Sequence, residues 1–293
     1  MKFDLSQPGL YYLLNTPEVK AELERLKLNE KASFEKKPDT DLIAQMMARA
    51  ISSEVEKYIA DKLSEESSRA DKPEDWIYEA LRGLQEQAEI KNSVIKNIPA
   101  DLPLEKQILK EIKILPEADD TDRPTTALTE SELIVPNGRS PQLGTEIERE
   151  LKSCESANWL VSFIKLKAIR AFYPQLQQFC GKANNDGSPR LRIATTTYMG
   201  ASDIEALKLL FALPNTQIKI CFNTSQTRLH AKAYIFNRKT GFGSAYIGSA
   251  NLSSQALTSG LEWTVKVAQQ EIPHLWERAI VEFDSCWNDD NFE

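Results

Sequence analysis

The 293-residue chain has little of what would tie a protein to a membrane, a metal or an oxidising compartment. Its four cysteines, Cys154, Cys180, Cys221 and Cys286, lie far apart, without a CxxC pair or a neighbouring histidine. That excludes the common zinc spacings and argues against a disulfide framework, leaving buried thiols in a reducing cytoplasm. No stretch approaches the ~20 apolar residues of a membrane-spanning helix. The start, MKFDLSQPGLYYLLNTPE, has no cationic segment followed by an apolar run, so no secretory signal is expected. No Walker A pattern occurs, so the chain carries no nucleotide-driven motor of its own. There are only two histidines, His230 and His274. With 41% apolar and 27% charged residues, the composition is that of a globular protein, and the length suits two domains.

A net charge of −7 argues at first against a polyanionic partner, but the average conceals a division. Residues 1–140 hold 20 Lys and Arg against 28 Asp and Glu, and residues 141–293 hold 16 against 15. Between 156 and 270 there are 13 cations and 4 acids, a local excess of nine positive charges. Such a segment attracts phosphates whatever the sign of the whole.

The first 114 residues read as an all-α domain. Thr16-Pro17-Glu18 is a helix start, with a capping hydroxyl, a first-turn proline and an early acid. Ile43, Met47, Ile51, Val55 and Tyr58 recur every three or four residues, as do Trp76, Ala80 and Leu84 from near Pro73. A fourth helix is expected from about Leu104 to Leu115. These stripes predict a small bundle without recognisable chemistry. Residues 115–142, rich in proline, threonine and acids, are expected to be a linker. From 143 onward the pattern alternates. Strands are expected at 159–164, 190–197, 217–222, 230–236, 244–250 and 261–267. Helices are expected at 143–156, from Leu166 to Phe179, from Asp203 to Leu213 and from Ile272 to Trp287. Apolar strands interleaved with helices imply an α/β sandwich, a sheet covered on both faces, over 143–293.

Chemistry concentrates between 228 and 267. His230 stands two residues before Lys232 on an expected strand, which directs both side chains to one face. A lysine there disfavours protonation of the imidazole and can neutralise a phosphate. Gly248, Ser249 and Asn251 follow a strand as Gly-Ser-Ala-Asn, where small residues let backbone N–H groups approach an anion. Glu262 opens the next strand and is placed to hold the imidazole by one ring nitrogen. Arg228 is a candidate contact to the substrate backbone. His274 has no lysine partner and is expected to be structural or superficial.

His-x-Lys followed by Gly-Ser-x-Asn resembles the signature of the phospholipase D superfamily, HxKxxxxD with GSxN further on. Asn237 stands where that family usually has Asp. The stretches RIATTTYMGASDIEAL, RLHAKAYIF, TGFGSAYIGSANLS and GLEW are similar to phospholipase D-like domains at the N-terminus of bacterial superfamily II helicases and restriction-like enzymes. The resemblance covers roughly 143–287. It implies a phospholipase D-like α/β sandwich and a metal-independent, cofactor-free phosphodiesterase, with a phosphohistidine formed at His230. Lys232, Asn251 and Glu262 would be its other catalytic residues, and Gly248, Ser249, Asn237 and Arg228 its substrate-binding ones. Because the chain holds one such motif and the family reaction uses two histidines, the resemblance implies a homodimer sharing one pocket. It also implies a helicase motor in the same or a partner chain, and a place in DNA processing or phage defence. Three functions compete: a nuclease acting on DNA, a non-catalytic nucleic-acid-binding module, and a lipid phosphodiesterase, which the basic segment disfavours.

Overall fold

Strand and helix alternation beyond residue 140 resolves into one seven-stranded sheet in the computed structural model, which describes residues 5–14, 17–29, 31–35, 43, 46, 48, 52, 108–112, 123–136, 138, 140–222 and 229–293. Contacts divide the chain into two compact units, Leu13–Lys110 and the combination of Met1–Tyr12 with Glu111–Glu293.

The large sheet combines β4 (Glu132–Ile134), β5 (Ser156–Leu160), β6 (Leu191–Thr196), β7 (Thr216–Cys221), β8 (Ala233–Asn237), β9 (Ser244–Gly248) and β10 (Thr264–Ala268) in the order β4-β10-β9-β8-β5-β6-β7. Strands β5, β6 and β7 run parallel, and the remaining neighbours pair antiparallel. The two parallel connections carry α3 (Leu166–Cys180) and α4 (Ile204–Phe211). Both bury apolar side chains in one core with α2 (Leu143–Ser153) and α5 (Ser254–Thr258), around Trp159, Tyr234 and Tyr246. Two crossovers of one hand in one direction must cover the same face. The opposite face is covered by α6 (Pro273–Trp287), whose Trp276, Phe283 and Trp287 meet Ile235, Ala245 and Val267. Helix α2 exists because Leu143, Ile147 and Leu151 repeat every four residues and all three are buried. The free edge of β7 is covered by the last residues, where Ile220 and Glu293 exchange backbone hydrogen bonds of 2.8 and 3.2 Å.

The segment expected as a linker departs from that reading. Residues 132–134 form strand β4, paired with β10, and Thr126, Leu128, Thr129 and Ile134 are buried. Two buried charges hold the approach to it. The Glu146 carboxylate accepts from the backbone N–H groups of Thr125 and Thr126 and from the Thr126 hydroxyl. The Lys266 ammonium donates to Thr126 Oγ1 and to the Ala127 carbonyl, both at 2.7 Å. Burial lowers the Lys266 pKa to about 8, with Glu150 and Glu146 opposing the shift. Next to it Arg238 donates to Glu150 at 2.6 Å, and the Tyr246 hydroxyl donates to the same carboxylate at 2.8 Å.

The all-α expectation for residues 1–114 also needs correction. Helix α1 (Pro17–Arg25) begins at the expected proline. Around it lie strands β1 (Gly9–Leu14), β2 (Ala32–Glu35) and β3 (Ile108–Ile112), a small sheet ordered β1-β3-β2. Strand β3 occupies the expected fourth helix, because an apolar pattern as short as Ile-Leu-Lys-Glu-Ile fits either period. Residues 43, 46, 48 and 52 are helical, and the stripe from Pro73 lies outside the described residues. Among the described residues no helix is long and apolar enough to cross a membrane.

Candidate active site

One end of the large sheet gathers the chemistry. Strand register places Ile134, Thr264 and Gly248 side by side on β4, β10 and β9, and the Gly248 N–H bonds the Lys232 carbonyl at 3.1 Å. Strand β8 therefore begins level with the end of β9, and His230 lies just before its first rung. Beyond that point the neighbours of β8 meet directly. Leu252 and Phe163 share a 3.2 Å backbone hydrogen bond, Lys165 and Leu252 one of 2.9 Å. Strand β8 thus starts late, and the extensions of β5 and β9 meet beyond its start.

Lys232 is buried, and its ammonium donates to the backbone carbonyl of His230. Burial lowers its pKa, while the Glu262 carboxylate favours the charged form. The imidazole of His230 belongs to an exposed residue. Ser249 is fixed at three points. Its N–H donates to the Trp263 carbonyl at 3.2 Å, its hydroxyl accepts from the Trp263 N–H at 3.2 Å, and the same hydroxyl donates to Glu262. Asn251 accepts from the Phe163 N–H at 3.1 Å through Oδ1, and the Tyr234 hydroxyl donates to the Ala250 carbonyl at 3.1 Å. Only glycine fits at 248, since a Cβ there would stand 2.1 Å from the Trp263 carbonyl oxygen.

His230, Lys232, Gly248, Ser249, Asn251 and Glu262 are thus gathered at one end of adjacent strands. The expected partner of Glu262 is different, because its carboxylate takes the Ser249 hydroxyl. Asn237 does not join the group. It ends β8 at the opposite edge of the sheet, pairs with Ser156 and donates to its hydroxyl at 3.1 Å. At ~3.3 Å per residue it stands about 16 Å along the strand from Lys232. Arg228 lies outside the described residues. His274 is exposed in the first turn of α6. Phe163, Tyr234 and Trp263 went unnoticed in sequence; two of them act through backbone groups, which no residue pattern announces. Among the described residues no three His, Cys, Asp or Glu side chains cluster as a metal site.

Residues 183–289 match the family model described as the NgoFVII restriction endonuclease N-terminal PLD domain. This part of the chain is a phospholipase D-like domain. The matched stretch contains every gathered site residue. Among curated proteins the comparison finds no match. Among solved structures, NucT from Helicobacter pylori is similar at 14% identity and a TM-score of 0.41, over 54% of this chain and 95% of its own. Nuc from Salmonella typhimurium, a phospholipase D family member, is similar at 15% identity and a TM-score of 0.39, over 54% and 94%. TrmBL2, an archaeal chromatin protein, shows 9% identity and a TM-score of 0.34 over 92% of this chain and 80% of its own.

Proposed function

We propose that the phospholipase D-like domain is a metal-independent phosphodiesterase that cuts nucleic acid, DNA foremost, through a phosphohistidine at His230. The observation that carries this reading is the gathering of a buried ammonium, a glycine-serine-asparagine turn and a carboxylate beside an exposed imidazole. Lys232 supplies positive charge, and the Asn251 amide, whose Oδ1 is held by the Phe163 N–H, supplies N–H donors for a phosphate, work a metal ion does elsewhere. In the first step an imidazole nitrogen of His230 attacks phosphorus, and a P–N bond forms as a P–O bond breaks. The leaving oxygen takes a proton from the imidazolium of the same histidine in a second chain. Water then attacks phosphorus, gives its proton to that second imidazole, and releases the phosphate from His230. One motif per chain is the reason for reading the active form as a homodimer. The restriction-endonuclease description of the matched family supports a role in DNA processing. A place in phage defence and a helicase motor in the same or a partner chain complete the proposal.

The test is cutting of DNA in EDTA by the wild type and by His230→Ala, with the mass of the particle in solution. Metal-independent cutting that the substitution abolishes, by a particle of two chains, is the expected result. Salt-dependent binding without cutting would favour a second reading, a module that grips phosphate without chemistry. That reading draws on the engagement of Glu262 with Ser249 rather than with the imidazole.

A further inference from the structure

A cleft of about 290 Å³ lies beside the gathered residues, between the segment that follows β4 and the end of α5. Its lining includes Thr264 and Glu262, so it opens from the same sheet end as the candidate active site. Thr264 and Gly248 are paired across β10 and β9, and Gly248 bonds Lys232 on β8. Two strand spacings of ~4.8 Å therefore separate the lysine strand from the cleft, about 10 Å, within reach of one nucleotide.

The described lining suits the base of a nucleotide. Its one charged group among the described residues, Glu262, is already engaged by the Ser249 hydroxyl, and the rest is apolar or neutral. Pro136, Leu143 and Leu257 supply apolar walls, while Gln142 and Ser259 offer neutral hydrogen-bonding groups on the rim. The volume falls at the small end of ligand sites, too small for a drug-sized ligand and suited to one flat ring system. Apolar walls with a few neutral donors and acceptors are how proteins hold an unstacked base.

We infer that this cleft is a nucleobase subsite, taking the base of the nucleotide next to the phosphate held at Lys232 and making the domain selective at that position. The inference rests on the nucleic-acid reading above and adds to it a single-stranded or locally opened substrate, since a base inside a duplex cannot enter.

The test is an abasic scan. A single-stranded DNA oligonucleotide with one base removed at successive positions is measured for binding to the full chain, alongside cutting of a pool randomised around the cut. Wild type should show one position where base removal weakens binding about tenfold, and unequal cutting among the four bases there. Thr258→Tyr and Ser259→Tyr, on exposed positions of the rim, should erase both preferences while binding to the rest of the strand stays within about threefold. Equal loss at every position, or a preference unchanged in both variants, overturns the subsite. The scan alone decides if either variant fails to fold. Position-dependent binding without any cutting would sink the nuclease reading and leave the subsite standing.

Discussion

Two clusters of charge sit in the same sheet. In the first, Arg238, Glu150, Tyr246 and Lys266 are buried between the sheet and α2, and each makes hydrogen bonds inside the protein. In the second, at the sheet end, Lys232 donates to the His230 carbonyl and Ser249 to the Glu262 carboxylate, while His230 itself is exposed. A cation closed in by protein acceptors is architecture, and one bonded to the main chain of an exposed histidine is the kind proposed above for chemistry. The same residue types serve both uses, and their surroundings make the difference.

That contrast can be broken in four ways, taken here from the largest effect down. His230→Ala should lower DNA cutting on the order of a thousandfold, with stability within ~0.5 kcal/mol of wild type. Rates in EDTA and denaturant melts check both halves, and a stability loss matching the activity loss would erase the distinction. Arg238→Met leaves Glu150 as a buried charge without its cation and should cost about 3–5 kcal/mol of stability. Chemical denaturation measures it, and a neutral result would mean that the cluster carries no structural weight.

Lys266 offers a pH test. Its pKa is about 8 in the fold and 10.5 when exposed, so between those values the unfolded chain binds more protons and stability rises with pH. Below pH 8 both forms are charged and the fold bears the full cost of burying the cation. The stability of wild type relative to Lys266→Met should therefore improve by about 1.4 kcal/mol per pH unit inside the window. A difference that is flat from pH 8 to 10 would mean the ammonium is not strained by burial. The smallest effect is reserved for Asn237→Asp. A residue at the far end of β8 should alter the cutting rate by less than about threefold, under ~0.7 kcal/mol. A larger change would tie that end of the strand to the reaction.

Much of the C-terminal domain is legible in its residues. HAKAYIF, SAYIGSA and LEWTVKV each hold a strand, found at Ala233–Asn237, Ser244–Gly248 and Thr264–Ala268. The site reads well because its parts lie at strand ends, where short spacings translate directly into proximity. Asn237 shows the reverse: five residues along a strand carry a motif position to the opposite edge of the sheet. Segment 123–136 looks like a linker because its anchors are backbone N–H groups and threonines, answered by Glu146 and Lys266 about 20 and 140 residues away. No local pattern encodes such a meeting. The local excess of cations likewise overstates the charge shown to a partner. Arg238 and Lys266 are interior, and Arg192 is bound to Asp284 at 2.9 Å.

The Lys232 ammonium commits one of its three N–H donors to the main chain of His230. Cation and imidazole-bearing residue are thereby tethered as one lever: His230 cannot shift its main chain without pulling on the buried ammonium. The two remaining donors take their aim from the same short piece of backbone that carries the ring.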